Sequence, residues 1–307
     1  MHQLIDVPSG LNGVSVADTT IGAVDGDAGH YHYRGRDAVD LARRLGLEDV
    51  WFLLERGRTP VDDEARAFRA EVAAERAVPA SLHPLIDAVA ATDAALLARL
   101  RTVLSAAGPA LGLTPMLDAD PAERVAQSRR LAAIVPAVLG RLHRRSTGLD
   151  PVADDPDLGH AAAYLRQVTG STPTPVAARA LEQYLILTID HGLNASTFTG
   201  RVVASTGADA VDVVVAAIGA LAGPLHGGAP SRALDALDAI GSPDRAGEWV
   251  RTEVAAGRRI MGFGHAVYRA PDPRSTLLRE VAERLGGPLV ERAIAIETEI
   301  LTTLAEL

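Results

Sequence analysis

Apolar residues recur along most of the chain at the three- and four-residue spacing that places them on one face of a helix. Strand-like alternation is confined to short stretches such as GHYHYRG at 29–35, which predicts a small hairpin or turn. Prolines and glycines separate the periodic segments. The pattern therefore predicts an all-α protein, with helices around residues 38–55, 63–75, 91–106, 122–142, 157–168, 175–189 and 288–307.

The composition is that of an ordinary globular protein, since 48% of the 307 residues are hydrophobic and 22% are charged. This length is enough for two domains. A net charge of −9 disfavours a general nucleic-acid-binding surface. The start, MHQLIDVPSG, lacks the pattern of a signal peptide, and the most apolar run, 213–225, is too short to span a bilayer. We therefore expect a cytoplasmic protein without nucleic-acid or membrane partners.

Two missing residue types exclude several mechanisms. The sequence has no cysteine, which excludes disulfides, a thiolate acyl-enzyme and cysteine-ligated zinc. It also has no lysine, which excludes Schiff-base chemistry, the usual attachment of pyridoxal phosphate and the P-loop lysine. Arginine must therefore bind any phosphate or carboxylate that needs a permanent positive charge.

Three short segments concentrate histidine, glycine, asparagine and arginine at predicted helix ends, where binding sites commonly lie. They are TIDHGLNASTFTGR at 188–201, GPLHGGA at 223–229 and MGFGHAVYRAPDPR at 261–274. The other six histidines stand in contexts that indicate structural or solvent-facing roles. Among them only His30, which opens the HYHYRGR turn, is placed to approach a ligand.

The first two segments each carry a histidine suited to a small ligand. His191 and Asn194 are three residues apart, so on a helix they would share a face and could hold a polyanion; a buried polar cluster is the alternative. His226 stands between Pro224, which can end a helix, and Pro230, which can begin one. Near that helix start the dipole favours a neutral imidazole, which can donate a hydrogen bond to a carbonyl and stabilise an enolate.

The third segment combines glycines, a histidine and two arginines. Two glycines with exposed backbone N–H groups lie just before His265, and Arg269 follows one helical turn later. The prolines after Arg269 are expected to end that helix and to fix Arg274 on a rigid elbow. Such a loop fits a ligand that bears phosphates and carboxylates.

Together the three segments resemble the citrate synthase family. Its DHxxNAST, GPLHGGA and GFGHxVYRxxDPR motifs stand here in the same order as DHGLNAST, GPLHGGA and GFGHAVYRAPDPR. The DGDAGHYHYRGRDAVDLA stretch is similar to the opening of that family, and the resemblance runs from about residue 11 to residue 307. It implies a nearly all-α homodimer that closes over its substrates. Each chain would have a large helical domain over 1–226 and a small helical domain over 227–307, and the small domain would carry much of the active site.

The resemblance also implies the reaction, a Claisen condensation of acetyl-CoA with oxaloacetate followed by thioester hydrolysis to citrate and CoA, as in the tricarboxylic acid cycle. No cofactor or metal is implied, because acetyl-CoA is a substrate. His226 is expected to stabilise the enol of the thioester, and His265 to polarise the keto group of oxaloacetate. The implied oxaloacetate-binding residues are His191, Asn194 and Arg274. The implied CoA-binding residues are Ile260, Met261, Gly262, Phe263, Gly264 and Arg269.

One departure concerns the catalytic base, which in this family is an aspartate in an NVD- or NVE-like segment well after the GFGH stretch. No residue in 275–307 matches that segment, and the final predicted helix has no glycine, asparagine or proline to close it. We therefore expect the protein to continue to that aspartate. A truncated relative that binds oxaloacetate or CoA without turnover is the alternative.

The sequence also leaves open a 2-methylcitrate synthase that uses propionyl-CoA, since one methylene is worth only about 1–3 kcal/mol in a pocket.

Overall fold

Helices dominate the computed structural model, which describes residues 16–227, 229–263 and 270–307. Fifteen α-helices occur in this part of the chain, which confirms the predicted all-α class. Their bounds are α1 Ala38–Arg44, α2 Leu47–Arg56, α3 Asp62–Glu75, α4 His83–Ala90, α5 Leu96–Ser105, α6 Ala107–Leu111, α7 Pro121–Ser146, α8 His160–Thr169, α9 Pro175–Thr188, α10 Ala195–Ala204, α11 Ala210–Leu221, α12 Ala229–Ile240, α13 Ala246–Ala255, α14 Pro273–Leu285 and α15 Pro288–Glu306.

The helices begin where the sequence supplies caps. Asp120, Thr174 and Asp209 each accept a hydrogen bond from a backbone N–H in the first turn of the helix that follows. The predicted helices over 38–55 and 91–106 differ most from the structure. The 38–55 segment divides into α1 and α2 because the backbone at Leu45 and Gly46 is extended. The 91–106 segment contains a turn, so that α5 starts only at Leu96.

The predicted hairpin is part of a three-stranded antiparallel sheet, in the order β1 (Gly22–Asp25), β2 (His30–Tyr33) and β3 (Arg36–Asp37). In its register Gly22 lies opposite Tyr33 and Asp25 lies opposite His30. The turn to β3 places Arg34 at a φ of +50°, and its guanidinium donates hydrogen bonds of 2.8 and 3.3 Å to the Leu54 carbonyl. The sheet is thereby attached to the end of α2.

Buried apolar side chains of the described residues form three large clusters and a small one. The first joins α4, α5, α7 and α11. The second joins the sheet, α1, α2 and α9 with Leu277 and Val281 of α14. The third joins α13 and α15 with Ile240 of α12. The small fourth cluster contains Phe52, Phe68 and Val72. The division into domains at residues 226 and 227 stays a prediction.

None of the described helices is both long enough and apolar enough to cross a bilayer.

His160, at the start of α8, is a buried histidine with a strongly altered acidity. Its ring contacts Trp51 edge-on at 5.6 Å, and none of the described residues forms a hydrogen bond with its Nδ1. Burial, reinforced by the charge of Arg76, lowers the pKa of His160 to about 4. The folded protein therefore keeps this imidazole neutral at pH values at which the unfolded chain already binds a proton.

We predict that His160 makes the protein less stable in mild acid. Because the unfolded histidine titrates near pH 6.5, stability is lost as the pH falls from about 6.5 towards 4, and the loss between pH 7 and pH 5 is about 2 kcal/mol. Urea unfolding of His160→Leu should show a correspondingly smaller difference between the two pH values. His143→Gln, at an exposed histidine, serves as the control and should behave like the unaltered chain. Equal pH dependence in all three proteins would contradict the prediction.

Candidate active site

The DHGLN segment forms a turn between two helices rather than part of a helix. Helix α9 ends at Thr188 and α10 begins at Ala195, with His191 and Asn194 in the connection. The expectation that these two residues share a helix face is therefore wrong. The reason is Gly192, whose φ of +66° reverses the chain within the turn.

Two tyrosines of β2 donate hydrogen bonds to carbonyl groups at the end of α9. The Tyr33 hydroxyl donates a 2.7 Å hydrogen bond to the Ile186 carbonyl, and the Tyr31 hydroxyl donates a 3.1 Å bond to the Leu187 carbonyl. The Tyr31 ring also lies 5.5 Å from the imidazole of His191, centre to centre. Both tyrosine side chains are fully buried. The strand thus fixes the helix end from which the His191 turn starts.

Asp190 is a largely buried carboxylate at the first residue of this turn. Its Oδ2 accepts a 3.1 Å hydrogen bond from the Gly192 backbone N–H. Burial raises the pKa of Asp190, against the smaller opposite effect of that hydrogen bond. A Cβ at Gly22 of β1 would overlap Asp190 Oδ2, so only a residue without a side chain allows this approach.

His226 lies in the turn between α11 and α12, as the two flanking prolines predict. Its Nε2 is 2.8 Å from Ser196 Oγ, which donates a hydrogen bond of the same length to Asn194 Oδ1. Asn194 Oδ1 also accepts a 3.0 Å bond from the Thr197 N–H and so caps α10. The structure therefore links two predicted site residues, His226 and Asn194, through Ser196.

The glycine after His226 is required by close packing. A Cβ at Gly227 would overlap the Leu221 side chain and lie 2.7 Å from the Leu221 carbonyl oxygen. The Gly227 backbone therefore packs directly against the last turn of α11. This contact fixes the position of the loop that carries the imidazole.

Arg274 lies in the first turn of a helix, not on the elbow predicted from the prolines. Pro273 begins α14 because its fixed φ suits a first helical position, and Asp272 caps that helix by accepting from the Arg274 N–H. The Asp272 carboxylate also pairs with the guanidinium of Arg274 at 2.6 Å. Asp272 thus braces this loop.

The predicted CoA-binding loop is described only in part. Ile260 is buried in the third apolar cluster, and Phe263 packs against that cluster. Gly262 between them has a φ of +95°, which a residue with a side chain rarely adopts. Met261 lies in the same turn. The remaining predicted residues of the segment lie outside the described residues; they are Gly264, His265 and Arg269.

Sequence reasoning missed four residues of this site: Ser196, Asp190, Tyr31 and Tyr33. Ser196 lies two positions beyond Asn194 within the quoted NAST motif, which could have drawn attention to it. The tyrosines belong to the HYHY strand, but nothing in their spacing points to α9, some 150 residues away. Among the described residues no group of three or more histidine, aspartate or glutamate side chains is placed to hold a metal ion.

Comparison with known proteins relates these features to one family. The sequence model described as "Citrate synthase, C-terminal domain" matches residues 10–306. The chain belongs to the citrate synthase family. It is 37% identical to a citrate synthase of Haloferax volcanii over 96% of this chain and 80% of that protein. It is 38% identical to a 2-methylcitrate synthase of Mycobacterium tuberculosis over 92% of this chain and 70% of that one.

Solved structures of the citrate synthase family share the fold as well. The enzyme of Pyrobaculum aerophilum superposes with a TM-score of 0.87 at 33% identity, covering 98% of this chain and 81% of the other. A citrate synthase of Thermoplasma acidophilum, in a ternary complex with carboxymethyl coenzyme A and oxaloacetate, gives a TM-score of 0.89 at 26% identity, covering 96% and 77%. These likenesses confirm the family resemblance seen in the three motifs.

We predict that Asn194→Ala destabilises the protein and changes the surroundings of His226. Loss of the α10 cap should cost about 1 kcal/mol of unfolding free energy. Asp209→Ala removes the equivalent cap of α11 and should cost about the same. Of these two variants, only Asn194→Ala should shift the imidazole NMR signals of His226, because Asn194 contacts Ser196 and Asp209 does not. Unchanged His226 signals in Asn194→Ala would contradict the Asn194–Ser196–His226 arrangement.

Proposed function

We propose that this member of the citrate synthase family condenses acetyl-CoA with oxaloacetate and hydrolyses the resulting thioester to citrate and CoA. The observation that carries the proposal is His226 held by Ser196 at a helix break, in a chain that aligns with citrate synthases over nearly its whole length. This is the transfer of an acyl group with formation of a carbon–carbon bond, a reaction of the tricarboxylic acid cycle.

In this proposal His226 stabilises the enol form of the acetyl thioester. The Ser196 hydroxyl has one proton and can donate it either to Asn194 Oδ1 or to His226 Nε2, since both lie at 2.8 Å. When Ser196 donates to Nε2, the proton of the neutral imidazole is on Nδ1. Nδ1–H can then donate to the thioester carbonyl and stabilise the developing enolate without adding a net charge.

We assign the binding of oxaloacetate to His191, Asn194 and Arg274, and the polarisation of its keto group to His265. The support from the described residues is that His191 and Arg274 approach the same strand: Tyr31 contacts the His191 ring, and Tyr33 lies within the electrostatic reach of Arg274. A guanidinium and an imidazole are suited to the two carboxylates of a dicarboxylic keto acid.

We assign the binding of CoA to the loop that runs from Ile260 to Gly264 and to Arg269. The anchoring of Ile260 in the third apolar cluster supports a fixed loop whose backbone can accept a nucleotide base. In a chain without lysine, arginine must pair with the phosphates of CoA, and Arg269 has the position that the family motif gives to this role.

The abstraction of the α-proton requires a base, and two carboxylates occur in the described part of the site. Asp272 caps α14 and pairs with Arg274, while Asp190 is packed against Gly22 and bonded to the turn that carries His191. Each is engaged in holding the loops in place. We therefore place the catalytic base in neither of them.

A 2-methylcitrate synthase is the second candidate, since a protein of that name is as similar to this chain as the citrate synthases are. The two reactions follow the same chemistry and differ by one methylene of the acyl group, which propionyl-CoA carries and acetyl-CoA lacks. We also propose that the enzyme works in the cytoplasm without a cofactor, acetyl-CoA being consumed as a substrate.

Steady-state kinetics with oxaloacetate test the function and the role of His226 together. We expect turnover of acetyl-CoA with a higher kcat/KM than propionyl-CoA, and a loss of at least about 100-fold in kcat for His226→Ala with oxaloacetate binding retained. Arg274→Ala should mainly raise the KM for oxaloacetate. A clear preference for propionyl-CoA would assign the second candidate, and wild-type rates in His226→Ala would refute the mechanism.

We further propose that the protein is a homodimer that pairs through one apolar face, defined by residues of α7, α9, α10 and α11. Three depressions adjoin along this face. A central one of about 310 Å³ shares Ala132 and Val135 with a neighbour of about 780 Å³, and it shares Val213 and Val214 with another of about 310 Å³. Helix α11 reads AVDVVVAAIGAL, yet only three of its residues are buried. A helix that apolar is stable in water when a second surface covers it.

The dimer can be disrupted at Tyr184, which lines this face and is 44% exposed. Light scattering after size-exclusion chromatography should give a mass twice the 32.1 kDa of the chain for the unaltered protein and 32.1 kDa for Tyr184→Glu. Val254→Glu, at a valine that is 41% exposed on α13, should remain dimeric. An unaltered protein that elutes at 32.1 kDa would rule out the proposed pairing.

A further inference from the structure

The three-stranded sheet contacts two segments next to residues to which we assign oxaloacetate binding. On one side a Cβ at Gly192 would lie 3.7 Å from Val24 of β1. On the other, a Cβ at Gly29 would lie 3.0 Å from Ala270 Cβ, just before the cap of α14. The sheet therefore lies against the turn that carries His191 and against the segment that leads to Arg274.

The contacts converge on a single pair of residues across β1 and β2. Gly22 and Tyr33 face each other in the register of the sheet, and both meet Asp190. Gly22 gives space for the Asp190 carboxylate, while the Tyr33 hydroxyl is bonded to the Ile186 carbonyl and lies close to the Asp190 backbone. Burial raises the pKa of Tyr33, so the hydroxyl keeps its proton and remains a donor.

The sheet is also fixed to helices outside the two segments. Arg34 ties it to the Leu54 carbonyl of α2, and Tyr31 and Tyr33 belong to the second apolar cluster together with Leu277 of α14. A platform that is fixed to α2, α9 and α14 can hold two separate loops at a constant distance. The loops themselves have a positive-φ glycine at Gly192 and an irregular backbone at 270–272, so neither has regular structure that would fix it alone.

We propose that Tyr33 is a positioning residue for oxaloacetate. Together with Gly22 it holds the Asp190–Asn194 turn, so that His191 keeps its position relative to Arg274. The inference rests on the proposed function of the site. Tyr33 acts through the turn and does not touch the substrate. If the turn loses this support, the competent arrangement is populated less, and the apparent affinity for oxaloacetate falls by the same factor.

Two variants test the proposal by different changes. Tyr33→Phe removes the hydroxyl but keeps the ring, and Gly22→Ala keeps the hydroxyl but displaces the Asp190 carboxylate. In both we expect the KM for oxaloacetate to rise about tenfold, as for the loss of one buried hydrogen bond, with kcat and the KM for acetyl-CoA changed by less than about twofold. The matched controls are Tyr164→Phe on α8 and Gly219→Ala on α11, where a new Cβ has its nearest neighbour 3.8 Å away.

Hydrogen–deuterium exchange of the substrate-free protein separates this proposal from the proposed function. Amides of residues 189–194 should exchange faster in Tyr33→Phe and in Gly22→Ala than in the controls, whatever reaction the protein catalyses. Faster exchange in a protein that does not use oxaloacetate would support the platform and overturn the function. Unchanged exchange in both variants would overturn the proposal. So would variants in which kcat, the KM for oxaloacetate and the KM for acetyl-CoA all change by the same factor.

Discussion

The carbonyl groups at the end of α9 impose the main constraint on the site. The last carbonyls of a helix have no partner within it, and inside a protein each must find a donor elsewhere. Here the donors are the hydroxyls of two tyrosines from a strand some 150 residues earlier in the chain. Because the strand satisfies this end of the helix, the helix can stop at a defined residue and the turn with His191 can start at a fixed point.

The second half of the site depends on how α10 and α11 meet. Asn194 caps α10 and Ser196 lies in its first turn, while His226 follows the end of α11. The two helices pack closely, with Gly200 near Val213, and this brings Ser196 to the imidazole. Asn194 Oδ1 thus caps the start of α10 and also lies at hydrogen-bond distance from the hydroxyl that contacts His226.

Much of this arrangement could be predicted from the sequence, and the remainder could not for identifiable reasons. Helical periodicity, the hairpin and the break around His226 depend on local pattern, and the structure has them. Two expectations failed because the same residue type can serve either structure. Gly192 makes a turn at 190–194 instead of lying within a helix, and Pro273 begins α14 instead of forming an elbow. The contacts of Tyr33 with α9 and of Ser196 with His226 are tertiary, so spacing along the chain contains no sign of them.

The link between α14 and α15 has a consequence for movement. Gly286 and Gly287 both have positive φ, and the chain passes there from the cluster that contains the sheet to the cluster that contains Ile260. If the two clusters shift against each other, these two glycines are the natural pivot. Arg274 then stays with the sheet and with His191, while the 260–263 loop travels. In that movement the residues to which we assign oxaloacetate binding would keep their mutual positions, and the loop to which we assign CoA binding would move relative to them.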